Sequence, residues 1–199
     1  MQSQGKGTSA ARATRSLIHC VLGFVAMPWL APGAAFAQQA PRCAFTDEKL
    51  AISVTSEAAA DGAGSELQIT VSDGERLVAR LAATLPAFLE QCWKTDLDGN
   101  GHFEIVVASS LAGEGARVNV YAWRETRFEP LKLAPADPAL LPPGARAERY
   151  YVAERALYGR FRTEPVADSG SPAGRTVTLR YDFAARRWEA AVASPAPAQ

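Results

Sequence analysis

Residues 67–81, LQITVSDGERLVARL, decide the fold class. Leu67, Ile69 and Val71 alternate with Gln68, Thr70 and Ser72, the period-two pattern of a strand with one buried face. Asp73-Gly74 then supplies a two-residue turn of type I′, whose central residues both need positive φ. Leu77, Ala79 and Leu81 resume the alternation against Val78 and Arg80. A hairpin this clear predicts antiparallel β-structure.

The rest of the chain repeats that grammar. Leu50 to Thr55 (LAISVT) alternates as a half-buried strand, and Ser56 to Ser65, rich in Ala and Gly, reads as a loop. Leu85 to Trp93 is ambiguous, because Pro86 could open a short helical turn. Phe103 to Ala108 (FEIVVA) is continuously apolar after its Glu and reads as a buried strand. Ser109 to Ala116 reads as a loop, and Arg117 to Trp123 alternates again. Pro130 to Pro143 holds five prolines and reads as a long irregular connection. Tyr150 to Ala153, Leu157 to Thr163, Thr176 to Phe183 and Arg187 to Ala190 complete the strands. No amphipathic helix intervenes and no full-length internal repeat is visible. The expectation is an all-β, antiparallel, sandwich-like single domain over residues 49–190 with a long Pro-rich connection.

Composition sets the class of partner. The chain has 199 residues, of which 48% are hydrophobic and 21% charged, an ordinary folded composition. Its formal charge of zero conceals an asymmetry: Lys6, Arg12 and Arg15 lie in the first 37 residues, which hold no acid. The remaining 162 residues carry 18 bases against 21 acids, so no basic face for nucleic acid is expected. Residues 1–37 have the grammar of a secretory signal peptide. Arg12 and Arg15 precede the apolar run Leu17 to Leu30, Pro32-Gly33 ends it, and Ala35-Phe36-Ala37 offers a cleavage site before Gln38. The run is too short to span about 30 Å of hydrocarbon, so no stable membrane insertion is expected after cleavage. Residues 38–48 read as a leader segment and 191–199 as a disordered Pro-Ala tail. Periplasmic or secreted placement makes Cys43 and Cys92 a candidate disulfide, with two buried free thiols as the competing reading.

The sharpest chemical signal is residues 96–104, DLDGNGHFE. Asp96, Asp98, Asn100 and Glu104 place side-chain oxygens at positions 1, 3, 5 and 9, the His102 carbonyl adds another, and Gly101 at position 6 permits the bend. That spacing lets a short loop offer hard oxygens from one side to calcium, which takes 6–8 of them. A structural cation role is expected, since the loop fixes the entry to a core strand. The competing reading is a polar turn, against which stands the mutual repulsion of three carboxylates. Val107 occupies position 12, where an EF-hand has its bidentate Glu, and a strand follows instead of a helix. The loop running into FEIVV resembles the calcium loops of integrin-type FG-GAP and VCBS repeats. The resemblance covers about a dozen residues and the motif occurs once, so no β-propeller is implied.

A wider resemblance follows the order of features. The acidic loop, the apolar strand 103–108, the Gly-rich stretch Ala112 to Arg117 and the aromatic-ending strand 118–123 are similar to the periplasmic inhibitors of invertebrate-type lysozymes. The likeness extends loosely over residues 90–183. It implies a loop that enters an enzyme cleft, with Glu114 and Arg117 standing where that family has a Ser and a Tyr. A lysozyme cleft holds two catalytic carboxylates, which would repel Glu114, whereas Arg117 could pair with one.

Enzyme chemistry finds little footing. After residue 37 the single histidine is His102, and no Gly-x-Ser-x-Gly elbow exists. Zinc would need more His or Cys ligands. A carboxylate-pair hydrolase is a third reading, though no pair stands out by spacing. Trp93, Trp123, Trp188, Tyr150 and Tyr151 read as core in preference to a sugar-binding surface. The expectation is a non-catalytic exported module with no catalytic residues. It binds calcium at Asp96, Asp98, Asn100, His102 and Glu104. It binds a macromolecular partner, a lysozyme or another envelope component, with Glu114 and Arg117 as contact residues; a glycan-recognising envelope module is the alternative.

Overall fold

The computed structural model describes residues 42–60, 62, 64–164 and 174–192. The readings made for residues 1–37, 38–41 and 193–199 lie outside the described residues.

Twelve strands form three antiparallel four-stranded meanders. The first sheet is β1 (Arg42–Asp47), β2 (Leu50–Ala58), β3 (Ser65–Asp73) and β4 (Arg76–Leu85). The second is β5 (Phe88–Thr95), β6 (Glu104–Leu111), β7 (Gly115–Arg124) and β8 (Arg127–Leu131). The third is β9 (Arg146–Ala153), β10 (Ala156–Arg162), β11 (Thr176–Asp182) and β12 (Arg187–Ala190). Among the described residues the only helical element is a 3₁₀ turn at Pro138–Leu140.

The sheets stack in chain order, and β6 shows why. Ile105 and Val107 pack with Ile52, Val54, Leu67, Ile69 and Val71 of the first sheet. Val106 and Ala108, on the opposite face of the same strand, pack with Val152, Leu157 and Leu179 of the third. A strand covered on both faces has no solvent side to fill with polar residues, so its sequence runs apolar without alternation. β7 behaves likewise, with Tyr121 and Trp123 in one core and Val120 in the other. The all-β antiparallel class therefore holds, with three layers where a sandwich has two. The repeat of meanders is structural and leaves no trace in the sequence.

Several local expectations shift. Asp73 pairs with Arg76, so the hairpin loop is Gly74-Glu75, one residue later than read. Only Gly74 has positive φ, 58°, which matches type II′ and not type I′. The phase error this would cause is corrected by a bulge: Ser72 faces Leu77, Val71 faces Ala79, and Val78 is the extra residue. Leu77 consequently points outward and is exposed, while Val78, Ala79 and Leu81 pack on the core. Residues 42–47, expected within a leader, form β1 against β2. Only Cys43 and Phe45 of that strand contact the core, too few to mark it by pattern. The stretch Leu85 to Trp93 has no helical turn: Leu85 ends β4, Pro86 and Ala87 form a bend, and β5 begins at Phe88. The Ala191 amide donates to the Thr178 carbonyl, so order extends past the expected start of the tail.

The Pro-rich connection is a strap. Its Ala134 carbonyl accepts from Trp188 Nε1 at 2.9 Å and its amide donates to the Tyr181 hydroxyl at 3.1 Å. Leu133, Leu140 and Leu141 pack beside these aromatics. Pro130, which can donate nothing to a ladder, sits on β8 at the edge of the second sheet.

Candidate metal centre

Thr95 pairs with Glu104 across the β5–β6 ladder, so residues 96–103 are the loop that closes this hairpin. The loop winds on its own side chains. Asp98 Oδ1 accepts from the Asn100 amide at 3.2 Å, and Asp98 Oδ2 accepts from Asn100 Nδ2 at 2.8 Å. Asn100 Oδ1 accepts from the His102 amide at 2.7 Å. Gly101, at φ 86°, turns its amide onto Asp96 Oδ2 at 3.3 Å. Short Asx contacts of this kind are why Asp and Asn at alternate positions build a tight loop.

The three predicted carboxylates converge. Asp96, Asp98 and Glu104 each offer an oxygen lying within 4.8 Å of the others. Asn100 Oδ1 also accepts from the His102 amide, and the His102 side chain lines a surface cleft with Arg124 and Glu125. Glu104 is the unusual member. It is 0% exposed, its Oε2 accepts from the Leu97 amide at 2.7 Å, and its Oε1 has no donor. Asp96 Oδ1 is likewise buried without a donor. Burial raises the Glu104 pKa to about 7, with Asp98 and Asp96 adding to the rise and the Leu97 amide and Arg124 opposing it.

The expected repulsion among the carboxylates is partly relieved within the chain. Arg155, from the β9–β10 turn, ion-pairs with Asp96 Oδ2, and Arg124 Nη2 lies 3.7 Å from Asp98 Oδ2. Sequence reasoning missed both arginines. Arg155 is 59 residues from Asp96, and no local pattern links them.

The other predicted residues fall elsewhere. Cys43 and Cys92 form the disulfide, with Cα atoms 6.3 Å apart, within the usual bridging range. It joins β1 of the first sheet to β5 of the second. Glu114 and Arg117 do not present free charges: Arg117 Nη2 donates to Glu114 Oε2 at 3.0 Å, and Arg146 Nη1 donates to the Gly113 carbonyl at 3.2 Å. Only residues 112–114 lie between β6 and β7, so Glu114 ends that loop and Arg117 lies on β7. Trp93, Trp123, Trp188 and Tyr151 are all buried, as read.

Searches of family models, of characterised proteins and of solved structures find no match to this chain.

Proposed function

We propose that this chain is an exported, non-catalytic β-module that holds one hard divalent cation in the Asp96–Glu104 loop and binds a macromolecular partner in the cell envelope. The observation that carries the cation is the pair of buried, donorless oxygens, Asp96 Oδ1 and Glu104 Oε1, in a cluster of three carboxylates. Buried carboxylate oxygens without donors are costly, and a cation among them removes the cost. All-oxygen donors favour calcium over zinc, with water completing the shell. The role is structural, because Glu104 is both a ligand and the first residue of the core strand β6.

The cleft that reaches this cluster meets only Asp98, and Glu104 is closed to substrate, which supports a non-catalytic reading. The Cys43–Cys92 bridge suits an oxidising compartment, in agreement with the signal-peptide grammar of residues 1–37. For the partner, the FG-GAP-like reading has the better support. The inhibitor-like reading needs a loop that projects into a cleft, and only residues 112–114 lie between β6 and β7. Among the described residues the tryptophans are buried, which favours a protein partner over a glycan stacked on indole rings.

Chelation tests the cation. At a hundredfold excess over Kd a bound ion contributes roughly 2.7 kcal/mol, so chelator lowers Tm by several degrees. Asp98→Ala abolishes that sensitivity and Glu114→Ala preserves it. Equal chelator shifts in wild type and Asp98→Ala, or none in either, overturn the reading.

A further inference from the structure

Beside the acidic loop lies a cleft of about 260 Å³ with a different chemistry. Three bases line it, Arg124, Lys132 and Arg186, against one acid, Asp98. Its apolar wall is Leu131, Leu133 and Phe183, the last set edge-on to Tyr181 at 4.8 Å. Arg124 is partly spent on Asp98 and donates to the Trp123 carbonyl at 3.1 Å. Neither Lys132 nor Arg186 forms an ion pair with a described residue. The β7–β8 hairpin region and the β11–β12 turn, far apart in sequence, thus bring three bases to one cleft with a single acid among them, which gives the cleft a positive potential suited to an anion.

The placement of Arg186 is over-determined. It ends the β11–β12 turn at φ 52°, a left-handed conformation that side-chain-bearing residues avoid. Asp182 Oδ1 holds the turn by accepting from the Ala184 amide at 2.8 Å and the Ala185 amide at 3.0 Å. The clamp fixes where the Arg186 side chain leaves the backbone, beside Phe183 in the wall of the cleft.

We propose that this cleft binds a small organic anion: an oxyanion head, phosphate or carboxylate, on a short apolar body. Lys132 and Arg186 take the head, Arg124 assists, and Phe183 with Leu131 and Leu133 takes the body. The size suits a single-ring ligand, near the lower end of ligand pockets. Arginine's fork matches either head group. Lys132 and Arg186, on the strap and the β11–β12 turn, form no ion pair with the acidic loop, so the two main head-group contacts stand with the loop cation-free; of the three bases Arg124 alone is shared with the loop, through Asp98.

Calorimetric titration of the purified protein in chelator keeps this test separate from the cation reading. Phenyl phosphate and benzoate are the probes, with inorganic phosphate and phenol as controls. Phenyl phosphate or benzoate saturates the protein below about 1 mM, and the tighter of the two identifies the head group. Each control binds at least about tenfold more weakly, because it lacks either body or charge. Lys132→Gln and Arg186→Gln, both exposed and safe for folding, each weaken the probe about fivefold. Phe183→Ala brings phenyl phosphate down to the level of inorganic phosphate. Absence of saturation by both probes, phenol binding as tightly as phenyl phosphate, or unchanged affinity in the Lys132→Gln/Arg186→Gln double variant overturns the proposal.

Discussion

Glu104 holds a carboxyl group where water cannot reach it, and the cost of that position depends on its protonation. In the cation-free protein its pKa is raised from 4.5 to about 7, chiefly by burial. The folded chain therefore holds the proton more tightly than the unfolded chain between those values. Its contribution to stability is complete below about 4.5 and is lost as pH rises through about 7. In chelator, urea midpoints should fall across that interval, and Glu104→Gln, uncharged at every pH, should flatten the profile. A wild-type profile that rises from pH 4.5 to 7 in parallel with the variant would contradict this account. Asp96, Asp98 and Glu104 were legible in the sequence because acids two residues apart at the start of a short hairpin loop and one at its closing pair lie near one another once the hairpin forms. The bracing hydrogen bonds of Asn100 and the His102 amide were not legible. Which oxygen serves a backbone amide depends on dihedral angles, and residue spacing does not determine those. Arg124 and Arg155 were illegible because tertiary packing alone brings them to the acids.

At the scale of the element, turns carry the information that alternation does not. Glu154 and Arg155 form a two-residue loop between Ala153 and Ala156, with φ of 48° and 57°. Type I′ geometry asks for Asn or Gly at both positions, and this chain has neither. Arg155 has a use there, its contact with Asp96; Glu154 forms no ion pair with a described residue. Glu154→Asn should therefore stabilise the fold by about 0.5–1 kcal/mol, read as a higher urea midpoint at unchanged slope. A lower midpoint would mean that Glu154 makes a contribution its geometry does not reveal. The β2, β3, β9–β10 and β11–β12 segments were readable because one or both faces had a fixed solvent relation. β1 and the β4 bulge were not. A strand with two core contacts leaves no pattern, and a one-residue slip of a turn reverses every facing until a bulge restores it.

For the molecule as a whole, the middle sheet is the structural centre and the first strand its weakest margin. Ile105, Val106 and Val107 are fully buried between two cores, so β6 amides should exchange only on global unfolding. β1 is an edge strand whose Cys43 and Phe45 are only partly buried, and it is tied to β5 of the second sheet by the bond to Cys92 and by the Asp47–Lys94 ion pair. That bond spans a sequence separation of 49. In the chain-entropy model, closing a loop of that length removes about 4 kcal/mol of unfolded-state freedom, a large part of a typical domain's stability. The compartment reading and the fold meet here, because a reducing environment would forfeit this contribution. Cys43→Ser/Cys92→Ser should lower the unfolding free energy by about 4 kcal/mol in urea. Its signature should be uneven: β1 amides lose hydrogen-exchange protection first, while β6 amides remain the slowest at whatever global stability is left. If the double variant keeps the wild-type urea midpoint, the bridge does not constrain the unfolded chain. If β6 loses protection together with β1, the first sheet is not a separable layer and the stack unfolds as one unit.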